Sequence, residues 1–288
     1  MTIPFYIVDV FTEKKYAGNQ LAVFLNSTDL TTDQMQQIAS EINFAESTFV
    51  TAIAAENNKA TIRIFTPAHE MQFAGHPIIG TSWVLMNKIF KHHPKEIKLN
   101  VPIGEIPVSQ SKDLVWLKAS QPSFLDVFMK EDFTSFSNLS AADFDDRFVV
   151  QEVTTGSAFV IVPLKDKETL NAVKLDKDKT AEWLKAKCKT KHQALYFFSL
   201  ENEVLTTRML CIENDQLIED AATGSASTCL QAFLLKYHST EINMVNNQGE
   251  YINRNSQIYF NGKLEENLFD INIGGETQFV AQGEWEVV

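Results

Sequence analysis

Two glycine-entered segments carry the residues most able to do chemistry, FAGHP at 73–77 and ATGSA at 222–226. In the first, His76 follows Gly75; in the second, Ser225 follows Gly224, with Asp220 a few residues upstream. A glycine entering a helix lets a ligand approach the backbone, where the first free N–H groups meet it with the positive end of the helix dipole behind them. Such an end suits a carboxylate. His76 could donate a hydrogen bond or relay a proton, because an ordinary imidazole titrates near neutrality; a structural histidine is the plain alternative. Asp220 reads either as an acid that orients a ligand or shares a proton, or as a cap for the helix after it.

Glu46, in NFAESTFV, stands between Phe44, Ala45 and an apolar strand. Burial there would raise its pKa and let it take and return a proton near neutral pH. The competing reading is a salt-bridged glutamate at a strand edge. Ser225 lies in GSAST, which lacks the GxSxG nucleophile elbow, so a serine hydrolase is set aside. His69 and His76 do not have the spacing of an HExxH metal face, and the adjacent His92 and His93 are poorly arranged to share one ion. Cys188, Cys211 and Cys229 are odd in number and contain no CxxC pair, which argues against a zinc site or a disulfide framework and fits a reducing cytoplasm.

The elements that must position these residues recur. PFYIVDVF and LAVFL read as strands around a turn at Gly18 and Asn19. Residues 31–42 place Met35, Ile38, Ala39 and Ile42 on one helical face, with Thr31 and Gln34 as a capping box. Strands at 47–53 and 60–66 follow, then a loop and a buried helix starting near Gly75. The second half repeats the order: FVVQEV, a turn at Gly156 and Ser157, AFVIVPL, an amphipathic segment at 178–187, ALYFFSL, LTTRML, and a helix entered at Gly224. Glu70 matches Glu219, Gly75 matches Gly224, and Arg63 and Arg208 precede their loops at similar distances. This is the pattern of an internal duplication. The ALYFF segment, which matches the region of Glu46, carries no glutamate. The stretch from about Leu117 to Asp146 reads as the crossover between halves, and Asn261-Gly262 as a late hairpin turn.

A formal charge of −12 over 288 residues disfavours phosphate backbones and anionic membrane surfaces as partners. KHHPKEIK at 91–98 reads as a solvated connection. The N-terminal segment meets Asp9 before completing an apolar run of signal length, and no stretch reaches membrane-spanning length. The expectation is a soluble cytoplasmic protein that binds neither nucleic acid nor membrane.

DVFTEKKYAGNQLAVFL, NFAESTFV, IRIFTPAHEMQFAGHPIIGTSWVL, EDAATGSASTCL and GGETQFVAQGE together resemble the ordered signature segments of the phenazine biosynthesis-like (PhzF) family. The resemblance implies an α/β (α+β) fold like that of diaminopimelate epimerase, with two pseudo-symmetric lobes, each a mostly antiparallel sheet or barrel around a central helix. The lobes would span 1–118 and 119–288, residues from about 276 returning to the first, with the active site in the cleft between them. It further implies a homodimeric biosynthetic isomerase acting on a small carboxylate-bearing metabolite without metal or organic cofactor.

On this resemblance Glu46, His76 and Asp220 are catalytic, and Asn19, Gly75, Gly224 and Ser225 bind substrate. The family usually has proline after the aspartate; Ala221 here leaves that backbone less constrained. The related epimerases use a cysteine at the start of each helix, where this chain has Ala74 and Thr223. A single acid moving a proton and a double bond therefore fits better than a two-base epimerase or racemase, which stays the alternative alongside a non-catalytic small-molecule-binding relative.

Overall fold

The computed structural model describes residues 1–189, 194–213 and 215–287. The chain divides into two units, Met1–Lys118 with Gly274–Val288, and Ala119–Ile273. Among the described residues, no helix is long and apolar enough to cross a membrane.

The first unit opens with β1 (Thr2–Val10), β2 (Asn19–Phe24), α1 (Thr32–Ile42), β3 (Glu46–Ala54), β4 (Lys59–Phe65), the two-residue β5 (Glu70–Met71) and α2 (Gly75–Val84), followed by β6 (Glu96–Val101), β7 (Gly104–Ser111) and β8 (Leu114–Lys118). The α1 reading is met in detail: Thr31 accepts from the Gln34 N–H while the Gln34 side chain returns to the Thr31 backbone. Met35, Ile38 and Ala39 pack with Phe24, Phe49 and Phe65 beneath them. Pairing is antiparallel except where a helix intervenes: β2 runs parallel to β3 across α1, and β4 parallel to β6 across α2. Parallel neighbours need such a crossover.

α2 is apolar all round, and every residue in it except Trp83 is buried, as befits a helix enclosed by sheet. Gly80 permits its close approach, since a Cβ there would lie 2.6 Å from Leu21 and 2.7 Å from Val10. One wider, π-type turn closed by Phe90 N–H to Leu85 O continues it to Ile89.

The second unit contains β9 (Ser123–Phe128), α3 (Lys130–Phe133), β10 (Val150–Thr154), β11 (Ala158–Leu164), α4 (Lys167–Ala172), α5 (Lys177–Lys187), β12 (Ala194–Glu201), β13 (Val204–Glu213), β14 (Gln216–Asp220), α6 (Gly224–Tyr237), β15 (Glu241–Gln248), β16 (Ser256–Glu265) and β17 (Leu268–Gly275). It repeats the plan of the first: β11 runs parallel to β12 across α4 and α5, β13 parallel to β15 across the buried α6. The chain ends in β18 (Thr277–Glu286), which belongs to the first unit and pairs antiparallel along β1.

Two readings are corrected. The crossover stretch is more structured than expected: β9 pairs with β10, and Phe128, Phe133, Phe136 and Phe144 join Trp183 in a buried cluster. Asn261 and Gly262 lie inside β16, not at a turn. The chain instead reverses at Glu266 and Asn267, both with the positive φ (49° and 68°) that a tight two-residue hairpin turn demands. Gly262 is required for room, because a Cβ there would lie 2.5 Å from Asp270 O and 2.6 Å from Gln231 Nε2 on α6.

Candidate active site

The first unit assembles one cluster. Glu46 is the first residue of β3, paired with Leu21 of the neighbouring β2; Asn19 opens β2; His76 sits in the first turn of α2 beside Gly75. These three side chains meet although Asn19 and His76 are 57 positions apart: Asn19 Nδ2 is 3.3 Å and Glu46 Oε2 is 3.5 Å from His76 Nδ1. Glu46 keeps 16% side-chain exposure, whereas His76 keeps 4%.

Burial dominates the electrostatics of His76. Desolvation pushes its pKa down to about 3, against a weaker opposing pull from the Gln20 backbone. The ring is therefore neutral at physiological pH, and its approach to Glu46 is not an ion pair. Nδ1 faces both the Asn19 amide and the Glu46 carboxylate, so the role of each ring nitrogen depends on the tautomer: a proton on Nδ1 points toward Glu46, and a proton on Nε2 leaves Nδ1 to accept from Asn19. Nε2 is buried and makes no hydrogen bond to any described residue. A buried polar atom left in that condition costs roughly 1–3 kcal/mol, which marks Nε2 as a contact point for a ligand.

The second unit assembles a different cluster. Asp220 ends β14, and its Oδ2 accepts a 2.5 Å hydrogen bond from Thr223 Oγ1, the residue before α6. Gly224 is buried and Ser225 partly exposed in the first turn of α6. Gln248, at the end of β15, donates to Asp220 O and to Thr223 Oγ1, both at 3.0 Å. The Asp220–Ala221 backbone lacks proline but is pinned: Gln248 holds one carbonyl, and Gly249 (φ +78°) approaches the next so closely that a Cβ would lie 2.6 Å from Ala221 O. Tyr196 in β12 is fully buried, and desolvation lifts its pKa to about 12. Sequence reasoning passed over Gln248, Asn246 and Tyr196. The only local signal was a run of amides, NNQ at 246–248, closing a strand.

Strand register shows which positions correspond. In the first unit Phe49 of β3 pairs with Arg63 of β4, and Phe65 with Glu70; in the second Phe197 of β12 pairs with Arg208 of β13, and Leu210 with Glu219. Counting back from Phe49 and Phe197, Glu46 corresponds to Ala194, and counting on from Glu70 and Glu219, Asp220 corresponds to Met71. Each unit therefore carries its acid where the other carries an uncharged side chain. Arg63 grips Glu70 through Nε and Nη2 at 2.7 and 2.6 Å; Arg208 grips Glu219 in the same way at 3.0 and 2.7 Å. These paired arginines hold the loops leading into the two helices.

A model of the family described as phenazine biosynthesis-like protein matches residues 8–283. A protein of Pasteurella multocida named as an uncharacterized isomerase is 30% identical over 97% of this chain and 93% of its own length. The trans-2,3-dihydro-3-hydroxyanthranilate isomerase of Pseudomonas aeruginosa is 29% identical over 97% of this chain and 98% of its own. The crystal structure of a PhzF-family phenazine biosynthesis protein from Bacillus anthracis superposes with a TM-score of 0.87 at 24% identity, covering all of both chains.

Proposed function

Since this chain belongs to the phenazine biosynthesis-like (PhzC–PhzF) family and is an isomerase, we propose that it moves a proton and a double bond within a small carboxylate-bearing substrate, using Glu46 as its acid/base and no cofactor. The observation that carries this reading is the neutral, buried His76, its Nε2 without a hydrogen-bond partner among the described residues and its Nδ1 3.5 Å from Glu46.

Glu46 as the carboxylate removes a proton from an activated carbon. The C–H electron pair becomes a new C=C bond, the pair of the old double bond moves to the far carbon, and that carbon takes the proton back from Glu46. Substrate and product have the same composition and oxidation state. Charge builds transiently on the substrate's carboxylate or enol oxygen, where a neutral imidazole N–H is a suitable donor because it stabilises the charge without giving up its proton outright. In the tautomer protonated at Nε2 that donor is His76, with Nδ1 accepting from Asn19. Gly75 at the start of α2, and Asp220, Gly224 and Ser225 at the start of α6, are the substrate-binding groups of this proposal.

The pairing of Glu46 with Ala194 supports a one-acid isomerase over a two-base epimerase, which would want matched bases. The compound named for the Pseudomonas aeruginosa relative, trans-2,3-dihydro-3-hydroxyanthranilate, is the first to test, in deuterated water with NMR detection. Wild type is expected to shift the double bond and incorporate deuterium at carbon. Glu46→Gln is expected to slow both about 10²–10⁴-fold. Turnover by Glu46→Gln at the wild-type rate would remove Glu46 from the role, and inversion of a centre with the double bond in place would favour the epimerase.

A further inference from the structure

The second unit buries a set of hydrogen bonds that the proposed proton transfer does not use. Gln248 is 2% exposed, and its amide is saturated: Nε2 donates to Asp220 O and Thr223 Oγ1, and Oε1 accepts from Thr223 N–H at 3.2 Å and Tyr196 O–H at 2.9 Å. Its orientation is dictated, since a backbone N–H can only donate and a backbone carbonyl can only accept; a flipped amide would set donor against donor and acceptor against acceptor. The direction of the bonds beyond it is dictated as well. Thr223 Oγ1 receives the amide N–H, so its own single proton is left for Asp220 Oδ2 at 2.5 Å.

Upstream, Asn246 Nδ2 donates to Tyr196 OH at 2.8 Å, and the phenol O–H donates to Gln248 Oε1 at 2.9 Å while also lying 2.9 Å from Ser227 Oγ, a hydroxyl able to act as donor or acceptor. Thr207 fixes Asn246 in turn, donating to its Oδ1 at 3.0 Å. From Gln248 the chain runs one way, to Thr223 and on to Asp220, with both donors in buried side chains. A network this complete specifies one arrangement, since breaking any link orphans a buried group.

We propose that Gln248 and Thr223 are positioning residues for Asp220, a one-directional donor chain that holds its carboxylate in the orientation needed to bind substrate. This rests on the assignment of Asp220 to substrate binding made above. Thr223 stands at the helix-start position where a nucleophilic or basic side chain would itself face the ligand; here it serves as the last donor of the chain.

The test has two arms, applied to Thr223→Val, Gln248→Met and the conservative Thr223→Ser, each first checked for folding by thermal unfolding. In the kinetic arm, with trans-2,3-dihydro-3-hydroxyanthranilate as substrate, Thr223→Val and Gln248→Met are expected to raise KM about tenfold with kcat within a factor of about three, and Thr223→Ser to restore wild-type KM. Unchanged KM in folded Thr223→Val and Gln248→Met would overturn the proposal, because a purely structural network would lower the unfolding temperature alone. The crystallographic arm needs no substrate: the Asp220 carboxylate should rotate in Thr223→Val and Gln248→Met and stay in place in Thr223→Ser. An unmoved carboxylate overturns the positioning role even if wild type does not turn that compound over. A rotated one sustains the role, and a wild type inactive toward that compound then counts against the substrate reading alone.

Discussion

Arg63–Glu70 and Arg208–Glu219 occupy matched positions in the two units, yet their surroundings differ. The first pair is about a quarter exposed, at 26% and 31%; the second is buried, at 6% and 8%. Arg208 also donates from Nη1 to the carbonyls of Leu170, Asn171 and Val173 at the end of α4, and Tyr251 lies over its guanidinium at 3.9 Å. The first unit has a single helix between β2 and β3, while the second adds α4, and it is this added helix that Arg208 caps. The duplicated plan thus keeps the clasp that holds each loop, while the polar side chains beside the two helix starts have diverged: an acid beside a neutral histidine in one unit, an acid braced by uncharged polar groups in the other.

The contrast breaks first on the clasps. Glu219→Ala should cost about 3–5 kcal/mol, since it leaves a buried guanidinium unpaired, and Glu70→Ala about 1 kcal/mol or less, both read from urea unfolding. Equal losses would mean that the two clasps are equivalent after all. Next in size is an acid-side difference in the first unit. The folded pKa of His76, about 3, lies below the ordinary value near 6.5, so the unfolded chain binds a proton there that the native state refuses. The stability gained from a neutral His76 is complete above pH ~6.5 and drains as the pH falls toward 3. His76→Gln should remove that drain, flattening unfolding free energy against pH between pH ~4 and ~6 by about 1.4 kcal/mol per unit.

The second unit should show the opposite sign. Tyr196 holds its proton to about pH 12, while an unfolded tyrosine loses it near 10. The stability gained from burying the neutral phenol is present below pH ~10 and lost as the pH climbs toward 12. Tyr196→Phe should be less stable at neutral pH by about 1 kcal/mol for its lost hydrogen bonds, yet lose less on going alkaline. The smallest expected effects are equal ones: Thr31→Ala and Asp176→Ala remove the side-chain caps of α1 and α5 and should each cost about 1 kcal/mol. A large difference there would show that the two helices are not energetically equivalent.

Patterns confined to neighbouring residues were legible in the sequence. The α1 capping box needs only Thr31 and Gln34, and the glycine entries of α2 and α6 are local. The spacing of Arg63, Glu70, Arg208 and Glu219 was visible, but that they clasp each other requires knowing that adjacent strands bring them face to face. The state of His76 was not legible at all, because its burial and the partners of Nδ1, Asn19 on β2 and Glu46 on β3, come from segments far away in the sequence. Gln248 was hidden for the same reason: its partners lie on β12, β14 and the residue before α6, and no spacing along the chain announces them. Asn261-Gly262 misled because Asn-Gly is a strong turn signal, while the glycine there answers to Gln231 on a distant helix.

The pairing of β1 with β18 has a consequence for how the protein is made. The unit that holds Glu46 and His76 cannot be finished when its first 118 residues emerge, because one flank of β1 waits for a strand encoded after the whole second unit. At ordinary elongation rates of roughly 5–20 residues per second, the intervening residues 119–273 take about 8–30 s to synthesise. During that time the second unit can fold to completion while the first offers an open strand edge to other nascent chains. A chain truncated before β18 would therefore have its Asp220 half built and its Glu46 half still adhesive, which ties solubility to the synthesis of that strand.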